Sequence, residues 1–229
     1  MTKNISNIRF KMADESNGDE VFAFMMRHFR IMEPITSSLM ATEDDLEDFF
    51  TDLKDNGVMS GHSFLAQDGD KLVGICLNSV YEVGTSHSVS RNNFDPMKDY
   101  KDDIEMGSYK SVNANRIATF VAELDKDVKF AAPYAKRIFK IDVICVSPNY
   151  ARCGIGARLV EISLQEAASA KCNCVASAAT ANASQKLLEK FGFKCAKELP
   201  FSCFREDYRP VFDNLPDGGR SGKLMLIKL

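Results

Sequence analysis

An apolar run from Ile138 to Val146 leads into Ser147, Pro148, Asn149, Tyr150, Ala151, Arg152, Cys153, Gly154, Ile155, Gly156 and Ala157, and then into a helix-like segment ending near Ala170. The order is strand, glycine loop, helix. The first turn of such a helix presents unpaired backbone N–H groups and the positive end of the helix dipole. Gly154 and Gly156 carry no side chain to hold an anion away from those donors. The stretch therefore suits a pyrophosphate, the alternative being a plain tight turn. Its spacing is neither the dinucleotide pattern G-x-G-x-x-G nor the P-loop pattern G-x-x-x-x-G-K-[ST].

The remaining chain reads as alternating strands and helices. Ile8 to Met12 alternates as a first strand, and Glu20 to Met32 is a helix rich in Phe and Met. Thr42 and Asp45 have capping-box spacing before a second helix, whose apolar face is Leu46, Phe49, Phe50 and Leu53 and whose end is set at Asn56–Gly57. Ser63 to Gln67 and Lys71 to Tyr81 read as a hairpin around Asp68, Gly69 and Asp70. Glu82 to Tyr109 is polar and is expected to be a surface excursion, followed by a helix from Asn113 to Leu124. After the glycine loop come a short strand from Cys174 to Ala178 and a helix in which Leu187, Leu188 and Phe191 form a buried stripe and Gly192 the cap. Lys194 to Leu199 is a strand, Phe201 to Gly222 a loop, and Leu224 to Leu229 a last strand. With no repeats and no linker, residues 1–229 form one mixed α/β domain.

Composition excludes several classes. A net charge of −3 makes nucleic acid an unexpected partner. No apolar stretch reaches about 18 residues, so no membrane span is expected, and the polar opening Met1–Asn7 does not read as a signal peptide. Seven scattered cysteines fit a reduced, cytoplasmic chain with free thiols. Cys172 and Cys174 lack the second pair or nearby His that a metal would need, and His28, His62 and His87 show no metal spacing, so no metal is expected.

The loop resembles that of the GCN5-related N-acetyltransferases (GNAT), which reads Arg/Gln-x-x-Gly-x-Gly/Ala after a strand ending in Val-x-Pro. Val146, Pro148, Gly154 and Gly156 match; Ala151 stands at the Arg/Gln position, with Arg152 one residue later. A second block, Thr180 to Phe193, resembles the later helix of that family, which carries Asn or Ser near its start and ends in Gly-Phe. A third, His28 to Ile35 with Glu33-Pro34, resembles the opening Glu-Pro segment of insect arylalkylamine N-acetyltransferases, closest to the agmatine branch.

The resemblance implies a mixed central sheet flanked by helices, acetyl-CoA as cosubstrate, and a small primary amine (agmatine or an arylalkylamine) as acceptor in a ternary complex. A monomer is expected, with no nucleic-acid or membrane partner. Free alkylamines have a pKa near 10, so about one in a thousand is neutral at pH 7 and a base must take the excess proton. Glu33 is the candidate base, with Phe29, Ile31, Met32 and Pro34 as apolar neighbours able to raise its pKa. Thr180 and Ser184 match a hydroxyl pair that in insect relatives is assigned to water organisation or to the leaving sulfur; helix capping is the alternative. The backbone of Ile144, Cys145 and Val146 is expected to supply the oxyanion donor. Arg152, Cys153, Gly154, Ile155, Gly156, Ala157, Asn182 and Lys186 are the further cofactor candidates, with Arg158 as another possible phosphate partner. The acidic run Glu43 to Asp48 is either a solvated helix face or a guide for cations, and Asp142 is an acid inside the cofactor-half strand, placed to face the amine. The alternatives to an amine acetyltransferase are a catalytically weak CoA-binding module and a protein N-acetyltransferase.

Overall fold

The computed structural model describes residues 7–83 and 95–229. His87 and the centre of the polar excursion lie outside them. Seven strands form one sheet in the order β1 (Ile8–Met12), β2 (Phe64–Asp68), β3 (Lys71–Glu82), β4 (Arg137–Val146), β5 (Cys174–Ala179), β9 (Ser221–Lys228), β6 (Lys194–Pro200). Every neighbouring pair is antiparallel except β4 with β5. A small ribbon, β7 (Arg205–Glu206) with β8 (Arg209–Pro210), stands apart.

Helices cover both faces. On one side lie α1 (Gly18–Phe24), α2 (Arg30–Met32), α3 (Pro34–Ser38), α4 (Glu43–Met59), α5 (Lys101–Glu105) and α6 (Val112–Asp125). On the other lie α8 (Ile155–Ser169) and α9 (Asn182–Lys190). The short α7 (Val128–Ala131) packs on a third, smaller cluster with Ile138, Ala176 and Leu224.

One irregularity in β4 sets the geometry of the site. Leu77 pairs with Val143 but Asn78 pairs with Ile141, so Asp142 is an extra residue in its strand. A bulge of one residue reverses the side-chain parity downstream. Phe139 and Ile141, before it, pack in the α8–α9 core; Val143 and Cys145, after it, pack in the α4–α6 core.

Several elements differ from the sequence expectation. The first helix is interrupted by a π turn at Met25–Phe29. Helix α4 runs past Asn56–Gly57 to Met59, because Gly57 is a packing glycine: a Cβ there would lie 3.0 Å from Leu77 Cβ. The stretch before Tyr109 is not wholly surface, since Tyr100 and Ile104 are buried and the Tyr100 ring lies 4.5 Å from that of Phe204. The loop from Phe201 is built on buried rings, Phe201, Phe204 and Phe212, packed about Phe120. Of the expected stripe in α9, Leu188 is buried while Leu187 and Phe191 are only partly covered. The Thr42–Asp45 capping box forms as expected, and Gly192 follows α9 at φ +89°.

The contact between α6 and β9 is tight. A Cβ on Gly222 would lie 2.5 Å from Phe120 Cε1 and 2.9 Å from Leu124 Cδ1. Gly222→Ala should therefore cost about 1–3 kcal/mol, the usual penalty of overpacking, read as a lower denaturant midpoint with an unchanged slope. An unshifted midpoint would show that α6 does not press on β9.

Candidate active site

Pairing between β4 and β5 is confined to Ile138–Lys140 against Cys174–Ala176, although β4 continues to Val146 and β5 to Ala179. The strands splay from that point. Backbone groups of the outer half of β4 that face β5 are left out of the ladder and are available to a ligand.

On the α8 side of the gap sits the glycine loop. A single turn at Pro148–Tyr150 follows β4, and the Tyr150 hydroxyl donates to Asp68 Oδ2 at 2.6 Å. Gly154 is the N-cap of α8 at φ +87°, a conformation that strains any other residue. Among the described residues no side chain caps α8, so its first N–H groups keep their capacity for an anion. A Cβ on Gly156 would meet Leu187 Cδ2 at 3.5 Å and Val146 Cγ2 at 3.8 Å, both ordinary contacts. The fold thus does not itself demand glycine there. Ile155 is buried, Ala157 half-buried, and Arg152 exposed at φ +60°. Cys153 donates to Ala151 O. The Ile144 and Val146 side chains pack towards α8, and the Cys145 thiol is buried in the opposite core, where desolvation pushes it up to about 12. Lys186 is exposed, and Arg158 pairs with Glu161 at 2.7 Å.

On the other side of the sheet lies a cavity of about 210 Å³, lined by Ile141, Asp142 and Val143 of β4, by Ala178 and Thr180 at the end of β5, and by Glu33. Glu33 is 7% exposed. It is the N-cap of α3, with Pro34 at the first helical position. Oε2 accepts from Thr36 N at 2.7 Å and from Thr36 Oγ1 at 2.6 Å. Oε1 accepts from Thr180 Oγ1 at 2.8 Å and from Ile35 N at 3.3 Å. Burial raises the Glu33 pKa, and the bonds from Thr36, Thr180 and Ile35 oppose that rise without cancelling it. The expected apolar jacket is only partly present: Phe29 lines the cavity and Pro34 is buried, but Ile31 and Met32 are 57% and 44% exposed.

The hydroxyl pair does not form. Helix α9 starts at Asn182 with Ala181 as its cap, so Thr180 precedes the helix and points to Glu33. Ser184 donates to Ala181 O at 2.8 Å and does not line the cavity. Neither Thr180 nor Asn182 caps by side chain. Asp217 takes Asn182 N at 2.8 Å, and the Asn182 amide donates to the Asp217 carbonyl at 2.9 Å. Thr36 is not among the residues to which the family resemblance points, although a capping acid, a proline and a hydroxyl at the third helical position carry that signal.

The Thr36 hydroxyl favours the charged carboxylate. Thr36→Val, which removes that donor while keeping shape, should move the Glu33 pKa further up, seen as a titration of the Glu33 carboxyl carbon displaced to higher pH. For an acid raised by burial the native state holds the extra proton, so native stability falls as pH rises from the ordinary Glu range through the folded pKa. Glu33→Gln should remove that part of the pH dependence.

The chain is similar in sequence pattern and in fold to known acetyltransferases. The acetyltransferase (GNAT) family model matches residues 25–193. No curated protein sequence matches the chain. Arylalkylamine N-acetyltransferase 2 from Aedes aegypti superposes with a TM-score of 0.77 at 16% identity, covering 97% of this chain and 99% of that one. The Drosophila melanogaster polyamine N-acetyltransferase, which forms N-acetylagmatine, gives 0.73 at 17% identity over 97% and 100%. Arabidopsis thaliana Naa50, solved with a bisubstrate analogue containing CoA and a peptide, gives 0.52 at 12% identity over 97% and 99%. At such identities the superpositions speak for the fold. The family match spans most of the chain and includes both the glycine loop and Glu33, so this protein is a member of the GNAT family of acetyltransferases.

Proposed function

We propose that the protein transfers the acetyl group of acetyl-CoA to a small primary amine within a ternary complex, with Glu33 as general base. The observation that carries this reading is the buried Glu33 carboxylate in a cavity whose wall includes both lips of the β4–β5 gap. The glycine loop opens on one side of the sheet and the acid on the other, so two substrates entering from opposite faces would meet in the gap. When bound, acetyl-CoA supplies a thioester carbonyl and a thiolate leaving group. The first turn of α8 would hold its pyrophosphate through backbone N–H groups, with Gly156 leaving room and Arg152 and Lys186 near enough in sequence to add charge. Backbone donors of the splayed half of β4, at Ile144 to Val146, would face the carbonyl oxygen.

Glu33 binds the incoming ammonium by charge and then takes its proton. A carboxylate raised by burial is a better acceptor near neutral pH than an ordinary Glu. Thr180 donates to Oε1 of that carboxylate and positions it. A cavity of about 210 Å³ suits a small amine better than a peptide. The similarity in fold to an arylalkylamine N-acetyltransferase and to an enzyme that forms N-acetylagmatine supports the same acceptor class.

Release of CoA thiol should be measured across tyramine, tryptamine, histamine, agmatine and polyamines. Glu33→Ala should lower kcat/KM by about 10²–10⁴, the usual worth of a general base, and flatten the acidic limb, while acetyl-CoA affinity stays near that of the parent. Wild-type kcat with an unaltered acidic limb would return Glu33 to a purely structural role. Gly156→Val should weaken acetyl-CoA binding in a folded protein, because the side chain takes the pyrophosphate's place. Unchanged affinity would remove the loop from the cofactor site.

A further inference from the structure

The cavity beside Glu33 has a second charged end. Lys140 precedes the bulge in β4 and reaches the last residue of α6. Its Nζ lies 2.6 Å from Asp125 Oδ2 and 3.1 Å from Asp142 Oδ1. Asp142 Oδ2 accepts from Ser79 Oγ at 2.6 Å. Asp125, Lys140 and Asp142 all line the same cavity as Glu33. Asp125 Oδ1 is buried and has no hydrogen-bond partner among the described residues.

A cluster that merely tied α6 to β4 would be expected to balance its charges and satisfy its oxygens. This one does neither. Two carboxylates face one ammonium, which leaves one negative charge, and no other Lys or Arg lines the cavity. Lys197, the nearby cation behind the cluster, is committed to Asp127 at 2.9 Å and Glu123 at 3.2 Å. Burial raises the Asp125 pKa even with Lys140 beside it, so the charged form lacks sufficient compensation. Apolar side chains make up much of the remaining lining, among them Phe29, Leu53, Val121 and Val143.

We infer that Asp125, Lys140 and Asp142 form the distal subsite of the amine pocket, selecting a primary amine that carries a second cation at the far end of a short methylene chain. The inference rests on the proposed role of the Glu33 cavity as the acceptor site. Once Glu33 has taken the proton of the reacting nitrogen, the remaining wall charge is −1, which one distal ammonium or guanidinium neutralises. The group would sit against the same carboxylates that Lys140 alone does not neutralise. The apolar walls cover the methylenes between the ends. A monoamine of the same length would leave that charge unmatched, and a second acidic group would be repelled.

The test compares 1,5-diaminopentane and agmatine with n-pentylamine in steady-state acetylation. The wild-type kcat/KM should favour the dications by about 10- to 100-fold, the worth of a hydrogen bond to a charged group. Asp125→Asn and Asp142→Asn should bring that ratio towards unity, mainly through KM. As a readout independent of those variants' folding, n-butylguanidine, which lacks the primary amine, should inhibit wild-type pentylamine acetylation competitively against the amine. A wild-type ratio near one, a ratio that survives both substitutions in folded protein, or no competition by n-butylguanidine would overturn the distal subsite alone. Failure of the wild type to acetylate any of the amines would instead sink the underlying acetyl-transfer reading.

Discussion

The parallel contact between β4 and β5 ends after Lys140 and Ala176, and the rest of the site depends on that early stop. A sheet normally closes every backbone donor and acceptor in its interior. Here β4 is held along its whole length by β3 on one side, while its other side opens for half its run. The strand is therefore rigid yet partly unsatisfied, a combination that suits a binding edge. The bulge at Asp142 sits where the opening begins. It turns Val143 and Cys145 towards the α4–α6 core and leaves Ile144 and Val146 against α8. One extra residue thus divides β4 into a half paired on both sides and a half that lies between the Glu33 cavity and the glycine loop.

Glu33 shows how a buried acid is kept useful. Removing a carboxylate from water without partners would push it to remain protonated. Four donors oppose that tendency, from Thr36 twice, Ile35 and Thr180. Three belong to the turn that Glu33 itself caps, so local chain geometry supplies them. The fourth comes from the end of β5 and links the acid to the lip of the gap. Folding stability and the proposed proton transfer draw on the same four bonds, which makes the N-cap of α3 both a structural joint and a chemical group.

Features carried by local sequence were legible; those made by distant contacts were not. The glycine loop, the Thr42–Asp45 cap and the hairpin about Gly69 are each written in adjacent residues. Gly57 misled, because its neighbour Asn56 made a turn signal while its actual role is close approach to Leu77 from another element. The Thr180–Ser184 spacing misled for the converse reason: the helix start, which decides whether two residues share a face, is set by Asp217 from far along the chain. Asp125 and Lys140 gave no signal, since one ends a helix, the other sits in a strand, and only the fold brings them together. The burial of Tyr100 against Phe204 belongs to the same class.

The π turn at Met25–Phe29 has a consequence for how this site tolerates change in length. The Arg30 N–H reaches back to the Met25 carbonyl, five residues, in place of the usual four. The turn therefore stores one residue more than an α-helix of the same axial rise would need. Loss of a single residue there would let the segment itself relax into a regular helix with good backbone bonding. The same loss would rotate everything after it by about 100°, carrying Glu33 off the cavity wall. The same rotation would carry the buried Ile35 and Thr36 out of their places, so the extra residue of the π turn keeps both the acid and its neighbours in register with the cavity.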